Sequence, residues 1–163
     1  MHYIANVVWE RGNQDFESGS FSRRHQIAFD GGQAIIASSS PHVVPVPMSD
    51  EFGIDPEEAF VASLSSCHML WFLDIAARRK YCVDRYADSA YGVMAKNSEN
   101  RIAMTEVVLR PKVTFSGDHV PSADNYLSMH HRAHERCFIA NSVKTNVVCQ
   151  PEFDVTHDSD RPA

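Results

Sequence analysis

From Ala59 to Leu73 the chain carries no full charge, with His68 taken as neutral. This run constrains the fold more than any other feature. It opens on Asp55-Pro56-Glu57-Glu58, an N-cap acid, a proline at the first helical position and acids in the first turn. It closes on Arg78-Arg79-Lys80, cations that suit a helix C-terminus. Phe60, Leu64, Cys67 and Trp71 recur at helical spacing and Ile75 continues them, while Val61, Met69, Leu70, Phe72 and Leu73 fill the other faces. A helix apolar all round is expected to be buried all round. The uncharged stretch is shorter than the roughly 20 residues that span a bilayer. The spacing therefore predicts a core helix over 55–80, and the rest of the chain must cover it.

That cover reads as strands and one further helix. Residues 1–39 hold N-terminal strands at Tyr3–Trp9, Phe21–Phe29 and Gln33–Ser38, with Asp30-Gly31-Gly32 as a turn. Residues 40–55, with Pro41, Pro45, Pro47 and Gly53, form a long irregular loop of the kind that serves a site or an interface. A strand pair is predicted over 82–116, as 82–95 and 101–115 joined at Asn97–Asn100, with Pro111 at a bulge or edge. Pro121-Ser122 opens a second helix region over 121–145, helical to about Glu135. A last strand is expected over 146–156, and the polar tail from His157 is expected to fray. The order βββ-α-ββ-α-β predicts a single α+β domain over 1–163, with helices on one side of antiparallel sheets.

Composition excludes several classes. With 163 residues, 44% hydrophobic, and a net charge of −6, the chain is neither disordered nor short of a core. No basic run is present to meet phosphates, which argues against nucleic acid and against a polybasic membrane anchor. Four cysteines are too few for a disulfide scaffold. Met1-His2-Tyr3-Ile4-Ala5-Asn6 lacks a basic region followed by an apolar one. The thiols are accordingly expected to be reduced, in the cytoplasm.

Two of those thiols invite chemistry. Cys67 lies mid-helix among Ser63, Ser65 and Ser66. As a lone cysteine on an apolar helix it reads first as an inert core thiol, because burial raises a thiol pKa and mid-helix placement forgoes the N-terminal dipole, and it becomes reactive only if a cation is brought to it. His68 is turned about 100° from it and is a poor partner. Cys137 follows a histidine-rich helix, and His130, His134 and Cys137 at i, i+4 and i+7 make a transition-metal reading available. Cys82 and Cys149 fall in strand-like stretches and read as packing residues. Arg23 shares the face of Phe21, Ile27 and Phe29 in the period-2 pattern, where a cation needs an acid or an anion. Arg24 falls on the polar face.

The run Asp55-Pro56-Glu57-Glu58-Ala59-Phe60-Val61-Ala62-Ser63-Leu64-Ser65-Ser66-Cys67, with Ala133-His134-Glu135-Arg136-Cys137, resembles the osmotically inducible protein C and organic hydroperoxide resistance (OsmC/Ohr) family. The resemblance implies antiparallel sheets wrapped around two long central helices in an intertwined homodimer, with sites at the subunit interface. It implies a thiol peroxidase for organic hydroperoxides, with Cys67 peroxidatic and Cys137 resolving. Glu57 is similar to the family's helix-start glutamate, which pairs with an arginine beside the reactive thiol. Residues 25–66 contain no arginine, so Arg23 takes that role by its face, with Arg24 in reserve. Phe138 stands where many organic hydroperoxide resistance proteins have proline. The implied partners are an organic hydroperoxide and a dithiol reductant, a lipoyl protein being one candidate, with no cofactor and no metal. Phe60, Trp71 and Phe72 would line the substrate site. Two rival readings stand beside this one: a metal protein using His130, His134 and Cys137, and a non-catalytic member that binds a small apolar ligand. A helix apolar on every face also asks for more cover than one chain of this length gives, which independently predicts a dimer.

Overall fold

The computed structural model describes residues 1–153, which fall into two compact units divided after Phe60. The first holds strands β1 (Ala5–Val8), β2 (His25–Phe29) and β3 (Ala34–Ala37), paired antiparallel in that order. The turn between β2 and β3 closes with the Gly32 N–H donating to the Phe29 carbonyl, at 3.0 Å, and Gly32 adopts φ +82°, which glycine tolerates.

The strand expected over 21–29 begins only at His25. Phe21 stacks on Phe16 at 4.5 Å and meets Trp9 edge-on at 5.4 Å, and the Trp9 indole N–H donates to the Ser22 carbonyl at 2.8 Å. This aromatic cluster takes residues 21–24 out of the ladder. It also corrects the period-2 argument that placed Arg23 on a core-facing strand position. The loop over 40–55 returns beside β3, where Ser38 N–H donates to the Ile54 carbonyl and Ile54 N–H to that of Ile36, both at 3.1 Å. Gly53 permits this close pass, because a Cβ there would sit 3.1 Å from the Ala37 carbonyl carbon.

Helix α1 (Pro56–Arg78) begins as its sequence indicates. Asp55 Oδ1 accepts from the Glu58 N–H at 2.7 Å, and Glu58 Oε2 accepts from the Asp55 N–H at 3.3 Å, a reciprocal capping box.

The second unit contains the turns of α1 from Val61 onward, helix α2 (Ala123–Arg136) and five strands. The strand pair predicted over 82–116 is in fact four strands. β4 (Cys82–Asp88) pairs with β7 (Pro111–Ser116), whereas β5 (Tyr91–Lys96) pairs with β6 (Ile102–Leu109), both antiparallel. Each long strand thus breaks and changes sheet, at 89–90 and at Arg110. One carboxylate spans both breaks: Asp88 Oδ1 accepts from the Arg110 N–H at 2.7 Å, and Oδ2 accepts from the Ser65 hydroxyl of α1 at 2.5 Å. Pro111 opens β7, where its missing N–H disturbs the ladder least. The final strand β8 (Asn146–Cys149) is shorter than expected and runs parallel to β6, which departs from an all-antiparallel arrangement. Asp154, Val155 and the tail from His157 lie outside the described residues.

The core of this unit joins Phe72, Ile75 and Ala76 of α1 to Tyr126, Met129 and Ala133 of α2 and to Val113 of β7. By length and composition alone α1 could cross a membrane, but the face carrying Leu64, His68, Phe72, Ile75 and Ala76 is already buried in the protein. The expectation of burial all round does not hold within one chain. Leu70, on another face, is 61% exposed.

Candidate active site

The uncovered face of α1 forms one wall of a pocket of about 620 Å³. Ser63, Cys67, Leu70, Trp71 and Asp74 follow one another at helical spacing along it, and Phe138 and Ile139 close the other side. Every 100° step matters here. Cys67 falls on the pocket face and His68 on the core face, where it is fully buried. The lining is predominantly apolar, with Trp71 and Phe138 meeting edge-on at 5.4 Å and the Arg136 guanidinium 5.7 Å from the Trp71 ring centroid. Phe72 lies on the core side instead, stacked on His130 at 4.2 Å, which corrects its expected place in the lining. Sequence reasoning noted Phe138 only as a departure from proline; its position directly after Cys137 was the available signal.

Cys137 caps the C-terminus of α2, with φ −64° and ψ 110°. There the chain leaves the helix, and the thiol is buried against the Ala140 N–H at 3.4 Å. The Cys67 and Cys137 side chains, distant in sequence, come close enough for Cys67 to act on the Cys137 thiol. Burial first, and then the neighbouring Cys67 side chain, push the Cys137 thiol up to about 11, against the smaller opposing pull of the Ala140 and Ile139 backbone N–H groups. Cys137 is therefore protonated at neutral pH. Both cysteines are free thiols.

Glu57 and Arg23 both lie in the first unit. Glu57 occupies the first turn of α1, half-buried. The Arg23 guanidinium donates to the Gly19 carbonyl at 2.9 Å and to that of Phe21, and it stacks over the Phe21 ring at 3.9 Å. Its neighbour Arg24 pairs with Asp50 at 2.6 Å. Neither arginine forms an ion pair with Glu57.

The i, i+4, i+7 metal reading is not realised. Cys137 has left the helix to meet Cys67, and His130 turns into the core. Among the described residues the group whose donor atoms converge is His68, His130 and Cys149, from α1, α2 and β8. His68 Nε2 and His130 Nδ1 are 3.0 Å apart, and Cys149 Sγ lies 3.6 Å from His68 Nε2. Burial holds both rings neutral at physiological pH: His68 is lowered to about 4, with His134 adding a smaller repulsion, and His130 to about 3, with His68 adding. The Cys149 thiol is raised to about 12, by burial and then by the charge of Asp88. Cys149, read as a packing residue, is thus one edge of a buried polar cluster.

Comparison with known proteins places this geometry. Residues 48–152 match the family described as OsmC-like protein. An OsmC-like protein of unknown function from Vibrio cholerae is 53% identical over 93% of this chain and 99% of its own, with a TM-score of 0.92. The organic hydroperoxide resistance protein OsmC of Legionella pneumophila shares the fold at a TM-score of 0.65 and 14% identity, over 93% of this chain and 95% of that one. The organic hydroperoxide resistance protein OhrB of Bacillus subtilis does so at 0.64 and 16%, over 94% and 98%. No curated protein is significantly similar to the chain.

Proposed function

The chain belongs to the OsmC-like protein family, and on that footing we propose that it is a cysteine-based thiol peroxidase that reduces organic hydroperoxides to alcohols. The observation that carries this reading is the Cys67 side chain, the thiol that lines an apolar pocket, acting on Cys137. The Cys67 thiolate attacks the terminal oxygen of the hydroperoxide; an S–O bond forms, the O–O bond breaks, and the alkoxide leaves to be protonated to the alcohol. Cys67 is then a sulfenic acid. The Cys137 thiol condenses with it, forming an S–S bond and releasing water. An external dithiol, for which a lipoyl group is suitable, returns both cysteines to thiols by exchange. Leu70, Trp71 and Phe138 favour an alkyl or aryl peroxide over hydrogen peroxide, because burying the organic group removes apolar surface from water.

Arg23 is the cation proposed to stabilise the departing alkoxide, with Glu57 as its carboxylate partner. Arg23 is held by its own loop in the single chain, so completion of the site belongs to the homodimer. A reducing cytoplasm would keep the pair ready for turnover.

Turnover of cumene and tert-butyl hydroperoxide with a lipoyl dithiol tests the proposal. Cys67→Ser should lose turnover by about 1000-fold or more. Cys137→Ser should accumulate a sulfenic acid at Cys67 that dimedone traps. Turnover that survives Cys67→Ser would overturn the reading, and one stoichiometric loss of thiol without turnover would leave a ligand-binding protein.

A further inference from the structure

The buried cluster of His68, His130 and Cys149 takes no part in the thiol chemistry above, and hydrogen bonding accounts for it poorly. Two neutral imidazoles hold two N–H groups for four ring nitrogens. The 3.0 Å contact between them uses one hydrogen and one lone pair. His68 Nδ1 and His130 Nε2 are left buried without partners, as is the nearby Tyr86 hydroxyl. These rings, at 0% and 2% exposure, lie in a core beside Phe72 and Tyr126, and their donor atoms converge with that of Cys149.

We infer that His68 Nε2, His130 Nδ1 and Cys149 Sγ form a binding site for a divalent transition-metal ion of the zinc class, pinning α1, α2 and β8 together. The donor set, two imidazoles and a thiolate, suits a borderline-soft ion and not calcium or magnesium. Distances agree. Tetrahedral zinc with ordinary Zn–N and Zn–S bonds separates nitrogen from sulfur by about 3.6 Å and nitrogen from nitrogen by about 3.3–3.4 Å. The observed His68–Cys149 and His68–His130 separations are 3.6 and 3.0 Å, and the three donor atoms all lie within 4.8 Å of one another, so the two rings must part by a few tenths of an ångström. Both imidazoles are already neutral and need lose no proton to bind. The ion would displace the Cys149 thiol proton to solvent, and the Asp88 carboxylate, which already acts on Cys149, offsets the remaining positive charge.

The full-length wild-type protein, stripped with a chelator, should take up one Zn²⁺ per chain, release about one proton and melt at a higher temperature. Substituted Co²⁺ should show a thiolate-to-metal charge-transfer band. Cys149→Ser and His130→Gln should each weaken binding by roughly 100-fold or more, since even outer-shell changes cost 10–100-fold, whereas Cys67→Ser should leave it intact. Circular dichroism checks that each variant is folded. The inference is overturned if wild-type protein takes up no zinc or shows no charge-transfer band with Co²⁺. It is equally overturned if folded Cys149→Ser or His130→Gln binds undiminished, or if Cys67→Ser abolishes binding and so moves the ion to the thiol pair. The wild-type Co²⁺ spectrum decides even where a variant fails to fold, and turnover by the thiol pair is read separately.

Discussion

Phe138 sets one side of the pocket at the scale of a single residue. It is 68% exposed, yet its ring meets Trp71 edge-on, so its apolar surface is available to a ligand. Phe138→Ala should raise KM for the bulky cumene hydroperoxide by about 5–10-fold, corresponding to roughly 1 kcal/mol of lost aromatic contact. It should barely affect tert-butyl hydroperoxide, and steady-state kinetics with the two substrates checks this. Cys67 could be singled out from its motif. The partnership of Cys137 could be inferred only through family resemblance, because an approach of two groups this far apart in sequence has no local signature. Arg23 shows the opposite case. A period-2 pattern pointed to it, but the Trp9–Phe16–Phe21 cluster breaks the pattern before the strand begins.

At the scale of elements, helix starts were the most legible features because caps are local. Asp55 with Glu58, and Ser122 accepting from the Asn125 N–H at 3.3 Å, satisfy amides that every helix leaves unpaired. Strand ends were less legible. The two long strands predicted over 82–116 divide because Asp88 binds Ser65 and Arg110 at once, a tertiary contact that no periodicity reports. Tyr126 has a comparable role on α2. Its ring is buried in the core and its hydroxyl donates to the Glu152 carbonyl at 3.1 Å, holding the segment after β8. Tyr126→Phe removes this part-buried hydrogen bond and should lower stability by about 1 kcal/mol. A melting temperature reduced by roughly 2–8 °C, with the fold retained by circular dichroism, is the expected outcome.

At the scale of the whole molecule, the two buried histidines make stability depend on pH. Burial lowers their folded pKa values to about 4 and about 3, below the ordinary imidazole value of 6.5, so the unfolded chain binds more protons in that interval. Their contribution is complete above pH 6.5 and is lost as pH falls toward 4. With both titrating only in the unfolded state, the slope approaches roughly 2–3 kcal/mol per pH unit. Urea midpoints of metal-free protein should drop steeply between pH 6.5 and 4.5, and folded His130→Gln should show about half the slope. A second prediction concerns association. One face of α1 is left partly uncovered at Leu70 and Trp71 beside the exposed Phe138, and sedimentation equilibrium should find a dimer at micromolar concentration.

By itself the sequence determined the α+β class, both helices with their starts and the apolar character of α1. These follow from caps and from a 3.6-residue period, which act over a few neighbouring residues. Only tertiary structure decided which face of α1 is buried, where the long strands change sheets, that Cys137 reaches Cys67, and that His130 joins His68 and Cys149 instead of His134 and Cys137. Each depends on contacts between segments tens of residues apart, where the pairing is chosen by the packing of the whole core and not by any local preference.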